Sequence, residues 1–164
     1  MTDQTDRIVK HALLNAPLER VWHAIRDAEQ FGTWFGAEFD GAFAAGARIT
    51  GRIVPTRVDP GVARMQEPHA GLAFEVTIER IEPMRLLSLR WHPYAVEPDA
   101  DYSQEPTTLV AFELEPAPDG TRLTLTESGY DQLPRARRAE AFESNEQGWE
   151  AQLTLIAKYL AQTT

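Results

Sequence analysis

Apolar and polar residues alternate in four segments between residues 72 and 127, and this alternation limits the possible folds more than any other feature. The apolar positions are, in chain order, Phe74, Val76 and Ile78; Leu87, Leu89 and Trp91; Val110, Phe112 and Leu114; Leu123 and Leu125. A period of two residues places these side chains on one face of a sheet. The Asp119-Gly120 turn between the last two segments is typical of a hairpin, so we expect an antiparallel sheet with one buried face.

Residues 134–161 follow the period of a helix instead. An apolar stripe on one helix face contains Ala139, Phe142, Trp149, Leu153, Ile156 and Leu160. A helix of this length extends roughly 40 Å at 1.5 Å per residue, which is enough to cross a sheet. We therefore expect the stripe to cover the apolar face of the sheet.

The first 71 residues add short elements to this plan. We predict a strand over residues 7–14, a helix that Pro17 opens, a second short helix that Gly36 ends, and a strand over residues 47–54. Residues 55–71 contain three prolines and two glycines without a clear period, which predicts a long loop or lid. This order of elements indicates an α+β fold with one antiparallel sheet.

The charge of the chain excludes several kinds of partner. Sixteen basic residues against 25 acidic ones give a net charge of −9, which disfavours binding to nucleic acid or to anionic membranes. The first ten residues do not resemble a signal peptide, and no apolar run reaches membrane-spanning length. We expect a cytoplasmic protein without nucleic-acid or membrane partners.

Metal and cofactor motifs fail on inspection. The chain has no cysteine, and its four histidines do not occur at ligand spacing. The glycine spacing from Gly46 to Gly51 imitates a phosphate loop, but Arg52 and Ile53 follow instead of lysine and serine or threonine. No metal, cofactor or catalytic residue is assigned.

Two carboxylates occupy positions where the patterns place apolar groups. Glu127 continues the inward series of the last strand, and Glu146 falls in the gap of the helical stripe. A buried carboxylate must be paired, hydrogen-bonded or protonated, so either could anchor a ligand or serve as an acid. The alternative is structural: Glu127 pairs with Arg135 or Arg138, and Glu146 reaches solvent at the rim.

Aromatic side chains dominate the predicted interior. A pocket lined by rings and two carboxylates is predicted from Trp34, Phe74, Trp91, Phe112, Glu127, Phe142, Glu146 and Trp149. Such a lining suits a small apolar or aromatic ligand. The alternative is that the rings simply fill the core.

Several short motifs together resemble a known family. They are residues 15–22 (NAPLERVW), Trp34-Phe35, residues 123–129 (LTLTESG) and Gly148-Trp149. In this order they resemble the activator of Hsp90 ATPase homologue 1-like family of the START-like (polyketide cyclase/SRPBCC) superfamily. The resemblance implies a single domain over residues 1–164 with the helix-grip fold, in which six or seven strands curve around a long C-terminal helix and enclose a cavity.

Three functions are compatible with these observations. The first is binding of a small hydrophobic or aromatic ligand between sheet and helix, without catalysis. The second is a cyclase- or hydrolase-type enzyme that uses an inward carboxylate. The third is a co-chaperone-like or other protein-interaction module, for which residues 55–71 are the candidate surface. The sequence leaves the oligomeric state open.

Overall fold

One seven-stranded antiparallel sheet organises the protein, and the strand order is β1-β7-β6-β5-β4-β3-β2. The computed structural model describes residues 7–93, 101–102 and 104–162. The strands are β1 (Arg7–Leu14), β2 (Ala37–Phe39), β3 (Arg48–Ile53), β4 (Ala73–Glu82), β5 (Leu86–Trp91), β6 (Thr108–Ala117) and β7 (Gly120–Ser128). The helices in these ranges are α1 (Leu18–Arg26), α2 (Ala28–Phe35), α3 (Pro60–Gln66) and α4 (Arg135–Gln162). The predicted α+β class, the two short helices after β1 and the long C-terminal helix are confirmed.

The register of the central strands follows the predicted alternation. Leu87 pairs with Phe112, and Phe112 pairs with Leu125, so these three buried side chains form one row across β5, β6 and β7. In the next inward row Val110 pairs with Glu127. Directly paired residues of antiparallel strands point to the same face. The pairing therefore places Glu127 on the inner face of the sheet.

Local signals define the ends of the two short helices. Asp27 lies between α1 and α2, and its carboxylate accepts a hydrogen bond from the Gln30 amide at the start of α2. Gly36 ends α2 with a φ of 99°, a left-handed conformation that glycine adopts without strain. The three residues of β2 follow directly, and this strand is too short to show alternation in the sequence.

The prediction of a long loop over residues 55–71 is wrong. This segment contains α3 and a 3-10 turn over Glu67–His69. Asp59 caps α3 by accepting from the amides of Gly61 and Val62, and Pro60 takes the first helical position. No residue of α3 is buried, so the helix lacks the apolar period that would have predicted it.

Further contacts fasten this segment to the body of the protein. The Gln66 side chain accepts from the amide of Thr56 and donates to the carbonyl of Phe35 at the end of α2. Asp59 also forms an ion pair with Lys158 near the end of α4. The segment is therefore tied to both α2 and α4.

Helix α4 has the predicted length but a different buried face near its start. Trp149, Ile156 and Leu160 are buried as predicted, whereas Ala139 is exposed. Ala141 and Leu155 are buried instead. The helix contacts the 3-10 turn after β7, the edge strand β1 and helices α1 and α2, so the face it buries differs along its length. The spacing of apolar residues along α4 does not by itself predict which elements the helix packs against.

No helix in the described ranges combines the length and the hydropathy needed to cross a membrane.

Candidate functional site

The centre of the protein contains a carboxylate with no exposure to solvent. Glu127 of β7 is 0% exposed. It lies between Val110 of β6 and Ile8 of β1 in the inward row of the sheet. This inward direction is the one that the alternation after Leu123 and Leu125 predicted.

Two tryptophan side chains bind the two oxygens of this carboxylate. The Trp91 indole N–H donates to Oε2 of Glu127 at 2.8 Å, and the Trp149 indole N–H donates to Oε1 at 2.8 Å. Trp91 comes from β5 and Trp149 from α4, so the carboxylate joins the sheet to the long helix. An indole N–H can only donate, which suits the acceptor-only character of an ionised carboxylate.

Two further donors complete the set. The Thr108 hydroxyl donates to Oε2 of Glu127 at 2.6 Å. The Asn145 side-chain amide lies 3.1 Å from Oε1 and 3.4 Å from Oε2. An ionised carboxylate offers about four lone-pair sites. Four donors from β5, β6 and α4 therefore occupy its accepting capacity.

The structural alternative, in which Glu127 pairs with Arg135 or Arg138, is wrong. Arg138 donates to the carbonyls of Asp131 and Leu133, and Arg135 is exposed. Across residues 7–93, 101–102 and 104–162, no lysine, arginine or histidine forms an ion pair with Glu127. Neutral donors alone stabilise this buried group.

Tyr130 adds a polar group that the sequence patterns did not reveal. Its side chain is 0% exposed, and its ring packs edge-on against Phe142 with the centroids 5.2 Å apart. Burial and then the negative charge of the adjacent Glu127 raise the pKa of the Tyr130 phenol far above its ordinary value. The hydroxyl lies beside Glu127 and Asn145, which both act on its pKa through hydrogen bonding, and in the described part of the chain these contacts fall short of full hydrogen-bond geometry. Tyr130 is thus a neutral polar group beside the carboxylate.

Glu146 does not belong to the interior, and the prediction that it points inward is wrong. Its side chain is exposed on α4, whereas the preceding residue, Asn145, reaches Glu127. Neighbouring residues on a helix differ in direction by about 100°. The buried face of α4 lies to one side of the predicted stripe. The inward position therefore belongs to the amide of Asn145 and not to the carboxylate of Glu146.

Stacked and edge-on rings surround the carboxylate. Trp91 and Trp149 stack with their centroids 5.7 Å apart and their planes 27° apart. Phe112 contacts Trp149 edge-on at 5.8 Å, and Phe35 lies 6.1 Å from both tryptophans. These rings contact one another, and the pocket predicted at Trp91, Phe112 and Trp149 stays a prediction. Phe35, the aromatic neighbour of Trp34, was missing from the predicted lining.

The other predicted rings differ in position. Phe74 meets Trp91 edge-on at 6.4 Å. Trp34 is fully buried behind Phe35, and its indole N–H donates to the carbonyl of Ala24. Phe142 lies beyond Tyr130. Among these rings, those of Phe74, Trp91 and Phe142 are half-buried, so part of their surface reaches solvent.

Arg137 near the start of α4 contacts residues that follow β5 in the chain. Arg137 of α4 forms an ion pair with Glu105 at 3.0 Å and donates to the carbonyl of Pro93 at 2.9 Å. The Arg137 guanidinium also lies 4.8 Å from the centroid of the Tyr102 ring. These contacts join the start of α4 to the connection between β5 and β6. Residues 94–100 and 103 of that connection lie outside the described residues.

Two surface grooves are separate from this interior. One, of about 620 Å³, lies between α2, β2 and residues 54–57 and includes Glu29, Glu38, Asp40 and Arg57. The other, of about 670 Å³, lies at the turn between β4 and β5 beside β6 and includes Arg80, Glu82 and Arg85. Neither groove contains any residue of the predicted lining.

A seven-stranded antiparallel sheet packed with a long C-terminal helix is the helix-grip architecture of START-like proteins. Residues 15–161 match the family described as "Activator of Hsp90 ATPase homolog 1-like protein", and the chain belongs to this family. The predicted family is confirmed.

Solved structures of bacterial proteins share the fold. A protein of Mesorhizobium loti is 22% identical, with a TM-score of 0.70 over 96% of this chain and 98% of that one. A protein of Arthrobacter aurescens is 18% identical, with a TM-score of 0.73 over 100% and 91% of the two chains. One from Bordetella parapertussis is 26% identical, with a TM-score of 0.67 over 99% and 78%. No curated protein matches.

Proposed function

We propose that this protein binds a small hydrophobic or aromatic molecule at Trp91 and Trp149, two rings that the buried carboxylate of Glu127 holds in place, and that it does so without catalysis. One observation carries this proposal. A fully buried carboxylate, which pairs with no cation in the described ranges, accepts a hydrogen bond from the half-buried Trp91. The START-like fold agrees with a role in ligand binding, although a fold alone does not determine function.

The energetic cost of Glu127 favours a role beyond packing. Removing an ion from water costs several kcal/mol even after relaxation, and apolar residues of similar volume often replace buried ions without loss of stability. The four donors around Glu127 offset this cost but require four matching polar groups. An entirely apolar interior would need none of them. The site therefore maintains a polar group where stability alone does not require one.

The half-exposed rings define where a ligand would make contact. Trp91 and Phe74 meet at 6.4 Å and both retain exposed surface. A ligand that stacks on Trp91 needs no empty cavity in the free protein. A ligand that enters between Trp91 and Trp149 requires Trp91 to turn away, which breaks its hydrogen bond to Glu127. Both modes involve the same three residues.

The geometry favours binding over the enzymatic alternative. Both oxygens of Glu127 already accept hydrogen bonds from neutral donors. The second predicted carboxylate, Glu146, is exposed. A pair of groups for acid–base catalysis is therefore not assembled from the two predicted carboxylates.

Binding can be tested with 2-naphthylmethanol as a neutral aromatic probe. We expect its titration to shift the indole N–H resonances of Trp91 and Trp149 in NMR spectra and to raise the melting temperature. Trp91→Leu should abolish both effects. The matched control is Tyr159→Leu, because Tyr159 is also a half-buried aromatic residue but lies against Arg20 and Gln30 near the end of α4. Unchanged indole resonances at the solubility limit of the probe would contradict the proposal.

A further inference from the structure

We propose that the site selects positively charged ligands, namely small aromatic or apolar molecules that carry a protonated amine or another cationic nitrogen. This inference rests on the proposed function and specifies its ligand class. It follows from the charge, the ring geometry and the hydrogen-bond inventory around Glu127.

Donors at both oxygens of Glu127 form the hydrogen-bond pattern of an ionised carboxylate. Within the described residues these donors are two indoles, a hydroxyl and an amide, all neutral, and no cation pairs with Glu127. Hydrogen bonds from neutral groups distribute the charge but do not cancel it. In a region shielded from water the field of a single charge acts more strongly on a ligand than it does in bulk solvent. A cation is attracted to this site and an anion is repelled.

The tryptophan rings strengthen the same preference. Both indole N–H groups donate to the carboxylate at 2.8 Å. A hydrogen bond from an indole N–H to an anion shifts electron density into the ring, which makes the ring face more negative. Cations bind over tryptophan faces within about 6 Å of the centroid. Trp91 keeps part of its surface exposed, so a cation can approach its ring.

The polar groups left for a ligand also favour a cation. An anionic ligand requires donors, but the donors of Trp91, Trp149 and Thr108 are already bound to Glu127. The Tyr130 hydroxyl is buried beside Glu127 and Asn145, and its contacts with them fall short of full hydrogen-bond geometry. Its oxygen can accept a hydrogen bond from an ammonium group. The Tyr130 oxygen is thus an acceptor available to a ligand. Of the four donor groups around Glu127, those of Trp91, Trp149 and Thr108 have no further hydrogen to donate.

The overall charge acts in the same direction at longer range. The chain carries a net charge of −9, which increases the local concentration of cations and their rate of association. This contribution is screened within about 8 Å at physiological salt, whereas the field of a buried carboxylate is screened much less. The selectivity should therefore persist at high salt even if association slows.

Three ligands with the same ring system separate charge from hydrophobicity. They are 2-naphthylmethylamine, which is protonated at pH 7, the neutral 2-naphthylmethanol and the anionic 2-naphthoate. We expect calorimetry or NMR titration of the wild-type protein to give at least about tenfold tighter binding of the amine than of either other compound, as expected for a cation near a desolvated carboxylate and an indole face. Because this comparison uses the wild-type protein, it does not depend on the folding of any variant.

A pair of variants then assigns the selectivity to the buried carboxylate. Glu127→Gln should reduce the preference for the amine to less than about threefold, because the interaction between the two charges disappears when one of them is removed. Glu146→Gln removes the same formal charge from an exposed position on α4 and should leave the preference unchanged. If Glu127→Gln retains the full preference while it folds, the assignment to Glu127 is wrong.

The outcomes distinguish this inference from the proposed function. Equal or tighter binding of 2-naphthylmethanol or 2-naphthoate would overturn the cation preference and leave ligand binding intact. If none of the three compounds binds, the proposed function fails and the preference fails with it. Measurable binding of 2-naphthylmethanol together with at least about tenfold tighter binding of the amine, a preference lost in Glu127→Gln, would establish both.

Discussion

Trp91 and Trp149 stack on one another at 5.7 Å, and the N–H group of each donates to a different oxygen of Glu127. The two tryptophans come from β5 and α4, which are joined through the same carboxylate. This arrangement couples the packing of the long helix to the polar centre of the protein. A change at any of the three residues should therefore affect both stability and ligand binding.

Truncation of Trp149 should destabilise the protein strongly. Trp149 is 3% exposed and contacts Phe35, Trp91 and Phe112. We expect Trp149→Ala to lower the free energy of unfolding by about 3–5 kcal/mol, because it leaves a large cavity and releases one oxygen of Glu127. Denaturant unfolding followed by far-ultraviolet circular dichroism measures the difference. A loss below about 1 kcal/mol would contradict the buried position of this ring.

Replacement of the carboxylate by an amide should destabilise the protein even though the shape is conserved. A glutamine offers one accepting oxygen to donors that now bind two, so at least one indole N–H loses its acceptor. We expect Glu127→Gln to cost about 1–3 kcal/mol. Glu146→Gln on the exposed face of α4 should stay within about 0.5 kcal/mol of the wild type. Equal effects of the two substitutions would indicate that Glu127 is not a hydrogen-bonding centre.

The Thr108 hydroxyl should contribute measurably through its bond to the carboxylate. It is fully buried and donates to Glu127 at 2.6 Å. Thr108→Val keeps the shape and removes the donor, and we expect a loss of about 1.5–3 kcal/mol, which is typical of hydrogen bonds to charged groups. Thr50→Val is a suitable comparison because Thr50 is a half-buried strand residue of β3 outside this network. Thermal unfolding of the two variants compares the two positions directly.

The direction of Glu127 could be predicted from the sequence, whereas its partners could not. Side chains in a strand alternate with a period of two, so the inward direction of Leu123 and Leu125 extends to Glu127 without accumulating error. Its donors come from three elements that are far apart along the chain. Which of them meet depends on strand register and on the docking of α4, and neither is contained in a one-dimensional pattern.

In the helices, the sequence patterns predict the buried face only approximately. Ala139 and Glu146 fit the apolar stripe of α4 as well as Ala141 and Asn145 do, because a modest rotation about the helix axis exchanges them. Tertiary packing decides between the two. Helix α3 has no buried residue, so only the local sequence Asp59-Pro60 signals its start.

The cap of α3 can be tested separately from its ion pair. Asp59 accepts from two amides of α3 and pairs with Lys158, whose hydrogen bond is the main cause of the lowered pKa of the Asp59 carboxyl. We expect Asp59→Ala to increase proteolytic cleavage within residues 55–71. Asp59→Asn keeps a capping oxygen and should protect the segment better than alanine does. Equal cleavage of both variants would assign the stability of the segment to the ion pair instead of the cap.

Tyr130 should make the stability of the protein depend on pH in alkaline solution. Its pKa in the folded protein is raised above the ordinary value of 10.0, chiefly by burial and then by the charge of Glu127. Above pH 10 the unfolded chain therefore releases this proton while the folded protein retains it, so stability falls as the pH rises. We expect a loss from this residue that approaches about 1.4 kcal/mol per pH unit above pH 10.

The variant Tyr130→Phe isolates this contribution. Because the contacts of the hydroxyl with Glu127 and Asn145 fall short of full hydrogen-bond geometry, its removal should change stability at pH 7 by less than about 1 kcal/mol. Between pH 10 and pH 11 the variant should lose less stability than the wild type, since the group that titrates on unfolding is absent. Denaturant unfolding across this pH range, with tyrosinate absorbance recorded in parallel, measures both quantities. Identical slopes for the two proteins would mean that Tyr130 titrates normally and is not enclosed beside the carboxylate.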